Sequence, residues 1–156
     1  EVMGRDALMI ATWRKKYSYD PLTGVLTHRR LGRRLGSPNH DGYLRFNAYP
    51  YGLRFVHVVA FAMTTGRVPV EVDHRNRRRD DNRWNNLREA TRAQNNANSR
   101  KRTKLPKGVS FVSGGFKASI TVGGRSHYIG FFKTVADASG AYCAEALKRF
   151  GEFASH

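Results

Sequence analysis

Cysteine is nearly absent from this sequence, and acidic residues and long apolar runs are scarce. A single cysteine, Cys143, cannot form an intramolecular disulfide or build a cysteine-rich zinc site. The apolar run near the start, residues 7–11, is too short for a signal peptide or a membrane span. A basic amphipathic helix, which would favour a membrane surface, is also missing. We therefore expect a soluble intracellular protein, cytoplasmic and without a membrane partner.

Positive charge is what the sequence has in excess. It contains 28 lysine and arginine residues against 12 aspartate and glutamate residues, a formal net charge of +16. A compact chain with this charge repels itself unless a polyanion binds it, so nucleic acid is the favoured partner. With 156 residues, the chain can form one ordinary domain or two small ones.

The first 55 residues combine short β-like runs with a basic loop. A helix is predicted over residues 6–16, and a turn with proline and glycine over Tyr19–Gly24. The loop, His28–Ser37, carries four arginines between glycine breakers. The β-like runs cover residues 24–28, 42–48 and 52–56. This pattern predicts a small β-rich region.

The middle third alternates apolar segments with a polar loop. Val56–Thr65 is typical of a short buried helix that ends at Gly66. The runs "VPVEVDH" and "NLREA" are typical of two strands, and Thr91 is a good N-cap for a helix after them. The predicted order is helix, strand, polar loop, strand and helix.

That hairpin and the helix after it would fold four polar residues toward one another: Asp73, His74, Asn86 and Asn95. Taken alone, an Asp-His dipeptide is usually structural, and an arginine run such as Arg75–Arg79 is most often a solvated face. The combination is harder to dismiss, because seven asparagines crowd around the Asp-His pair between residues 72 and 98. One site would then hold a carboxylate, an imidazole and two carboxamides among arginines.

These groups suit the hydrolysis of a phosphodiester. An imidazole can take a proton from water near neutral pH. A carboxylate and an amide oxygen are hard ligands, which suit magnesium, calcium or manganese better than zinc. A second amide can hold the other imidazole nitrogen and so fix the tautomer of the base.

The last third changes character after a basic linker, residues 99–106. Gly123–Gly124 is a two-residue hairpin signal between the runs "FKASITV" and "SHYIGFF". Thr134–Phe150 is predicted to be a helix that Thr134 caps. The first run alternates, with one face formed by Phe116, Ala118, Ile120 and Val122. We expect a small sheet with one helix on its apolar face and an open polar face.

The segment Val72–Asn98 resembles the HNH (His-Me finger, ββα-metal) nucleases, and most closely their phage homing endonuclease branch. The matching runs are "VDHRN", "DNRWNNLREAT" and "QNNAN", with "YDPLTGVLTHRR", "DGYLRF" and "VHVVAFAMTTGRVP" upstream. The resemblance implies that His74 is the general base and that Asn86 orients it. It also implies that Asp73 and Asn95 hold one Mg²⁺ or Mn²⁺ ion, which stabilises the leaving oxygen.

The chain departs from that family pattern at two places. Where the family has Gly-Asp, this chain has Arg77 and Arg78, which puts the shape of the loop in question. His57 precedes Val58 where the family often has His-Arg, and we expect a packing role for it. Asn82 and Asn98 are expected to brace the ends of the loop and the helix.

Residues 107–153 resemble the APETALA/ethylene-response-factor (ERF) type of DNA-binding domain. The matching landmarks are "GV", "FKASI", "YIGFFKT", an A-x-x-A-Y pattern and "GEFA". In that family the sheet enters the major groove and the helix packs behind it. The resemblance therefore implies that the open face, with Ser110, Lys117, Ser119, Thr121, Ser126 and Tyr128, meets DNA. Serine and threonine are weak base readers, so we expect positioning and modest discrimination.

Together the sequence patterns and the two resemblances predict a monomeric α+β protein that cuts double-stranded DNA and depends on a divalent metal. The predicted parts are a β-rich region (1–55), a ββα-metal core (56–98), a basic linker (99–106) and an ERF-like domain (107–156), a three-stranded antiparallel sheet packed on one helix. The residues expected to contact DNA are Arg29, Arg30, Arg33, Arg34, Arg75, Arg77, Arg78, Arg79, Arg83, Arg100, Lys101, Arg102, Lys104, Lys117, Ser119, Thr121 and Tyr128. The alternatives are a non-catalytic DNA-binding protein and an RNA-binding component of a ribonucleoprotein.

Overall fold

The computed structural model describes residues 4–99 and 104–154. The chain divides into two compact units, Glu1–Ala90 and Thr91–His156. Both units mix helices with small antiparallel sheets, which agrees with the predicted α+β class. No helix in the described part of the chain is both long and apolar enough to cross a membrane.

The first unit is built from two helices and three small sheets. Its helices are α1 (Arg5–Lys16) and α2 (Val56–Thr65). Its strands are β1 (Tyr17–Tyr19), β2 (Leu26–His28), β3 (Arg34–Leu35), β4 (Ser37–Pro38), β5 (Leu44–Asn47), β6 (Leu53–Phe55), β7 (Glu71–His74) and β8 (Leu87–Ala90). The antiparallel sheets have the orders β1-β2-β3, β4-β5-β6 and β7-β8.

Helix α2 lies at the centre of this unit because almost every side chain in it is apolar. Val56 and Val59 are fully buried and pack in one cluster with Trp13 of α1. The helix ends where Gly66 adopts a left-handed conformation with φ 79°, as the sequence predicted. His57, the second residue of α2, lies in the interior.

The β7–β8 hairpin is anchored on α2 through one of its faces. Val72 and Leu87 are buried against Phe61 of that helix. Since side chains alternate along a strand, His74 shares the face of Val72 and Asp73 points to the other face. The loop that joins the two strands contains a 3₁₀ turn, Trp84–Asn86.

The second unit is a sheet packed on a helix. It contains α3 (Arg92–Asn98), β9 (Val109–Val112), β10 (Gly115–Val122), β11 (Arg125–Phe132), α4 (Val135–Phe150) and a 3₁₀ turn, Gly151–Phe153. The strand order is β11-β10-β9, antiparallel throughout. Both glycines of the Gly123–Gly124 turn have positive φ, 56° and 78°, as such a two-residue hairpin requires.

The core of this unit lies between α4 and one face of the sheet. Ala118 and Ile120 of β10 are buried, and Phe116 and Val122 pack beside them, which confirms the predicted apolar face. Gly108 allows Tyr142 to approach the backbone closely, because a Cβ there would lie 1.9 Å from the tyrosine ring. The opposite face of the sheet carries the polar residues of β10.

Caps fix the helix starts where the sequence predicted them. The Thr91 side chain accepts a hydrogen bond from Gln94 N, and the Gln94 side chain accepts one from Thr91 N, which forms a capping box. Thr134 accepts from Asp137 N at the start of α4. After α3, the Lys107 ammonium donates to the carbonyls of Asn96, Ala97 and Ser99.

Candidate active site

His74 ends strand β7 as a buried imidazole, with 3% of its surface exposed. Its Nε2 lies 3.0 Å from Oδ1 of Asn82. Since a carbonyl oxygen only accepts, this hydrogen bond places the proton on Nε2 and leaves the lone pair on Nδ1. Burial lowers the pKa of His74 below its ordinary value, and the hydrogen bond that His74 donates to Asn82 opposes that shift. The ring is therefore neutral at neutral pH and able to take a proton.

Asn86 has a different role from the predicted one. Its Oδ1 accepts from Asn76 N at 2.9 Å, and its Nδ2 donates to the Asp81 carbonyl at 2.7 Å. The carboxamide thus closes the loop before β8, while Asn82 supplies the contact to His74. Within the described residues, Asn82 makes the contact to His74 that the sequence analysis assigned to Asn86.

The loop that carries Asn82 is held from outside by the turn at residues 19–24. The Tyr19 hydroxyl donates to the Asn82 carbonyl at 2.7 Å, and Trp84 N donates to the Pro21 carbonyl at 2.9 Å. Gly24, at φ 73°, lies against the same loop, since a Cβ on it would stand 2.5 Å from Arg83 N. The N-terminal region therefore supports the position of Asn82.

Asp81 closes the loop from within. Its carboxylate accepts from Nε and Nη2 of Arg83 at 2.8 and 2.6 Å, and from Asn76 Nδ2 at 2.7 Å. These bonds, above all the one from Arg83, hold the pKa of Asp81 well below its usual range. The loop between the strands is consequently rigid around the Asn82 carboxamide.

Asp73 forms a buried ion pair that sequence reasoning missed. Nε and Nη2 of Arg88 lie 2.9 and 2.8 Å from Asp73 Oδ2. The two side chains are 5% and 6% exposed. Their pairing follows from the register of the hairpin, which sets residue 88 opposite residue 73. A charged residue in the second strand, opposite the carboxylate, was the signal available in the sequence.

Aromatic rings surround His74 on the face toward α2. The His57 ring meets it edge-on, with centroids 4.9 Å apart, and Tyr43 lies 5.9 Å away. Phe55 stacks on His57 at 5.4 Å. Burial, followed by the charge of His74, lowers the pKa of His57 to about 3. His57 is thus a neutral imidazole packed against the candidate base.

The turn after His74 forms although Arg77 stands where the HNH pattern has glycine. Arg77 adopts a left-handed conformation, φ 63°, and its N–H donates to the His74 carbonyl at 2.9 Å. A residue with a side chain pays about 1–2 kcal/mol for this conformation. The departure therefore changes the charge of the loop and costs stability, but the turn is made.

Most of the arginines predicted to contact DNA are exposed; in the first unit these are Arg29, Arg30, Arg33, Arg34, Arg75, Arg77, Arg78 and Arg83. Several of the predicted arginines also make contacts within the fold. Arg29 donates through Nε to the carbonyls of Arg14 and Tyr17. Arg83 pairs with Asp81, and the Arg79 guanidinium lies 4.9 Å above the Tyr43 ring. Arg29, Arg79 and Arg83 thus each hold part of the fold.

The predicted contact residues of the second unit lie on the open face of its sheet. The register sets Lys117 opposite Ser110 and Phe131. Ser119 is opposite Tyr128 in the same register. Thr121 and Tyr128 are exposed, and so is Lys104 before the sheet. Three predicted contacts, Arg100, Lys101 and Arg102, lie outside the described residues.

The residues present fit a hard divalent cation better than a soft one. Within residues 4–99 and 104–154, no cluster of three or more histidine, cysteine, aspartate or glutamate side chains could hold a metal. Asp73, which precedes His74 on β7 and points to the opposite face of the strand, offers one carboxylate, and magnesium usually takes only one or two protein carboxylates. Asn95 lies on α3 in the second unit, and its role as a ligand stays a prediction.

Comparison with known proteins supports a nuclease. Residues 54–97 match the family model for HNH endonucleases. No curated protein and no solved structure matches the chain. The matched segment contains α2, β7, the loop and β8, which are the elements that hold His57, Asp73, His74, Asn82 and Arg88. HNH nucleases use a divalent metal and act on DNA.

Proposed function

We propose that the chain is a metal-dependent endonuclease that cuts double-stranded DNA, with His74 as its general base. The observation that carries this proposal is the buried His74 ring, whose Nε2 is held 3.0 Å from Asn82 Oδ1. A base for hydrolysis must be neutral before the reaction and fixed in orientation. Burial provides the first property, and the Asn82 carboxamide provides the second.

Each residue has a distinct task in the cleavage. His74 takes a proton from the attacking water at Nδ1, and Asn82 stabilises the imidazolium through Nε2–H. Asp73 supplies an oxygen ligand to the metal, and Arg88 fixes the carboxylate by binding Oδ2. Asp73 would hold magnesium or manganese, and the bound ion would supply positive charge to the phosphate and the leaving oxygen.

The second unit is proposed to dock on DNA through the open face of its sheet. Support comes from the exposed polar residues of β10 and β11, from Lys117 on that face, and from the net charge of +16. Such a surface gives affinity through phosphate contacts, with modest base discrimination. The ERF-like identity of this unit and the phage homing origin belong to the same proposal.

The proposal is tested with supercoiled plasmid and the full-length protein. We expect nicked or linear product with Mg²⁺ or Mn²⁺ and none in excess chelator. His74→Ala should slow cleavage by a factor of about 10²–10⁴ and leave DNA affinity almost unchanged. The matched control is His40→Ala, because the His40 side chain is 86% exposed.

Two outcomes would contradict the proposal. If the unaltered protein binds plasmid but never cuts it, the chain is a non-catalytic DNA-binding protein. If it binds structured RNA in preference to DNA, the ribonucleoprotein alternative holds. Cleavage by His74→Ala within a few-fold of the unaltered protein would remove His74 from its role and leave the nuclease assignment standing.

A further inference from the structure

His57 is a buried polar residue that the proposed mechanism does not use. It is the second residue of α2 and 6% exposed. Its Nδ1 is fully buried and has no hydrogen-bond partner within residues 4–99 and 104–154. A buried nitrogen without a partner costs free energy, because its hydration is lost and nothing replaces it.

Packing alone does not explain a histidine at this position. The neighbours of the ring are Phe55, stacked on it, and Tyr43, 5.2 Å away. A phenylalanine would make the same ring contacts, bury more apolar surface and leave no nitrogen unpaired. Ring packing thus accounts for an aromatic side chain at this position, but not for its nitrogens.

The position of His57 beside His74 indicates what its nitrogens bind. The two imidazole rings meet edge-on with their centroids 4.9 Å apart, so His57 lies directly beside the candidate base. Since Nδ1 is the nitrogen sealed in the interior, Nε2 is the one left to reach a ligand. A neutral imidazole with its proton on Nε2 buries an unpaired acceptor and keeps a donor for that ligand.

We propose that His57 is a second histidine of the nuclease site. Its Nε2–H donates a hydrogen bond to an oxygen of the DNA phosphate that is attacked by the water from which His74 takes a proton. This inference rests on the proposed nuclease function. A fixed donor beside the phosphate stabilises the charge that develops there as the attacking water adds. A neutral ring suits this task, because it leaves the proton of the water to His74.

Three substitutions of His57 distinguish the contribution of its nitrogens from that of its ring. His57→Phe keeps the ring and removes both nitrogens. His57→Gln carries an amide nitrogen near the place of Nε2, whereas His57→Asn carries one near the place of Nδ1. For each full-length variant we would measure the single-turnover rate of plasmid cleavage with Mg²⁺, the DNA affinity, and the midpoint of thermal unfolding.

The expected pattern has three parts. His57→Phe should unfold at the same temperature as the unaltered protein or a higher one, because the unpaired nitrogen is gone. It should cleave about 10²–10³-fold more slowly, which is the usual effect of removing one such donor. His57→Gln should recover most of the rate, and His57→Asn should not, while DNA affinity changes little in all three.

The inference is overturned if His57→Phe cleaves within about threefold of the unaltered protein, which would make His57 a packing residue. It is also overturned if His57→Asn restores the rate as well as His57→Gln, since an internal water on Nδ1 would explain that result. Loss of cleavage with an equal loss of folded protein in His57→Gln and His57→Phe points to packing as well. Failure of the unaltered protein to cut any DNA would instead overturn the nuclease assignment.

Discussion

The two units of this protein treat their polar residues in opposite ways. Of the seven polar or charged side chains buried in the described residues, six lie in the first unit and one, Asn98, in the second. The first unit buries two imidazoles, an ion pair and two carboxamides. The second unit has an apolar core and leaves serine, threonine and tyrosine exposed on its sheet.

This difference agrees with the tasks that we propose for the two units. A group that moves a proton must keep one orientation, and burial with fixed hydrogen bonds provides it at a cost in desolvation. A docking surface needs donors that reach another molecule, so its residues stay solvated. We therefore expect substitutions in the first unit to act on stability and rate, and those in the second to act on binding.

The largest effect on stability is expected from Arg88→Met. It removes the guanidinium that pairs with the buried Asp73 carboxylate, and breaking a buried ion pair in this way should cost about 3–5 kcal/mol of unfolding free energy. The measurement is urea unfolding followed by circular dichroism at neutral pH. Cleavage should also fall, because Asp73 Oδ2 loses both of its contacts to Arg88.

The matched control is Arg67→Met, which breaks the pair of Arg67 with Glu89. Both pairs join arginine to a carboxylate in the same unit, but the Arg67 and Glu89 side chains are 58% and 31% exposed. Solvent screens such a pair, so the loss should be small. Equal losses of unfolding free energy for the two variants would show that burial does not make the Asp73–Arg88 pair more important for stability.

A smaller effect, on rate, distinguishes Asn82 from Asn86. Asn82→Ala removes the group that holds His74 Nε2, and loss of such an orienting partner typically costs a factor of about 10–100. Asn86→Ala should mainly lower the unfolding temperature, because its carboxamide closes the loop. Single-turnover cleavage and thermal unfolding of both variants would decide the matter. A larger rate loss in Asn86→Ala at unchanged stability would restore the assignment made from the sequence.

Local signals in the sequence predicted most of the elements. The alternation of residues 116–122, the Gly123–Gly124 turn and the Thr91 and Thr134 caps depend on neighbours within a few positions, and the structure confirms all four. The strands β7 and β8 were also predicted. The family match supports the nuclease assignment that the Asp73–His74 segment suggested.

What the sequence could not decide depends on the path of the loop. Seven asparagines lie between residues 72 and 98, and only three-dimensional placement selects Asn82 as the partner of His74. The Asp73–Arg88 pair follows from strand register, which a one-residue slip would change. The contacts of Arg29 Nε with two backbone carbonyls of its own unit likewise depend on the fold, and its expected contact with DNA stays a prediction.

The next effect is a pH-dependent loss of unfolding free energy, which we expect from Asp81→Asn. The hydrogen bonds to Asp81 favour its charged form in the folded protein, so its pKa is lowered. Their stabilisation is complete above the unfolded value of about 3.9 and is lost as the pH falls below it. At neutral pH the substitution should cost about 1–3 kcal/mol, since charged hydrogen bonds are removed.

Unfolding of the Asp81 variant and of the unaltered protein would be compared between pH 7 and pH 2. The difference between the two should shrink only in the acidic part of this range. Asp80→Asn is the control, because Asp80 is exposed and lies 3.7 Å from an exposed arginine, Arg78. A difference that stays constant down to pH 2 would mean that the charge of Asp81 does not hold the loop.

The smallest effect is expected in the second unit, from Lys117→Ala. One phosphate contact among many is removed, so the slope of log K against log salt should become shallower by about 0.9. Thermal unfolding should hardly change, because Lys117 lies on the open face and takes no part in the core. The measurement is DNA affinity of the full-length protein at four or more salt concentrations.

Lys148→Ala tests whether the face or the charge matters. Lys148 is exposed on α4, which covers the opposite side of the sheet, and its loss changes the net charge by the same amount. If the open face docks on DNA, the slope should change for Lys117→Ala and stay constant for Lys148→Ala. Equal changes would mean that DNA senses only the total charge of the unit. The sheet would then have no assigned partner, and the contrast between a buried site and an exposed docking face would fail.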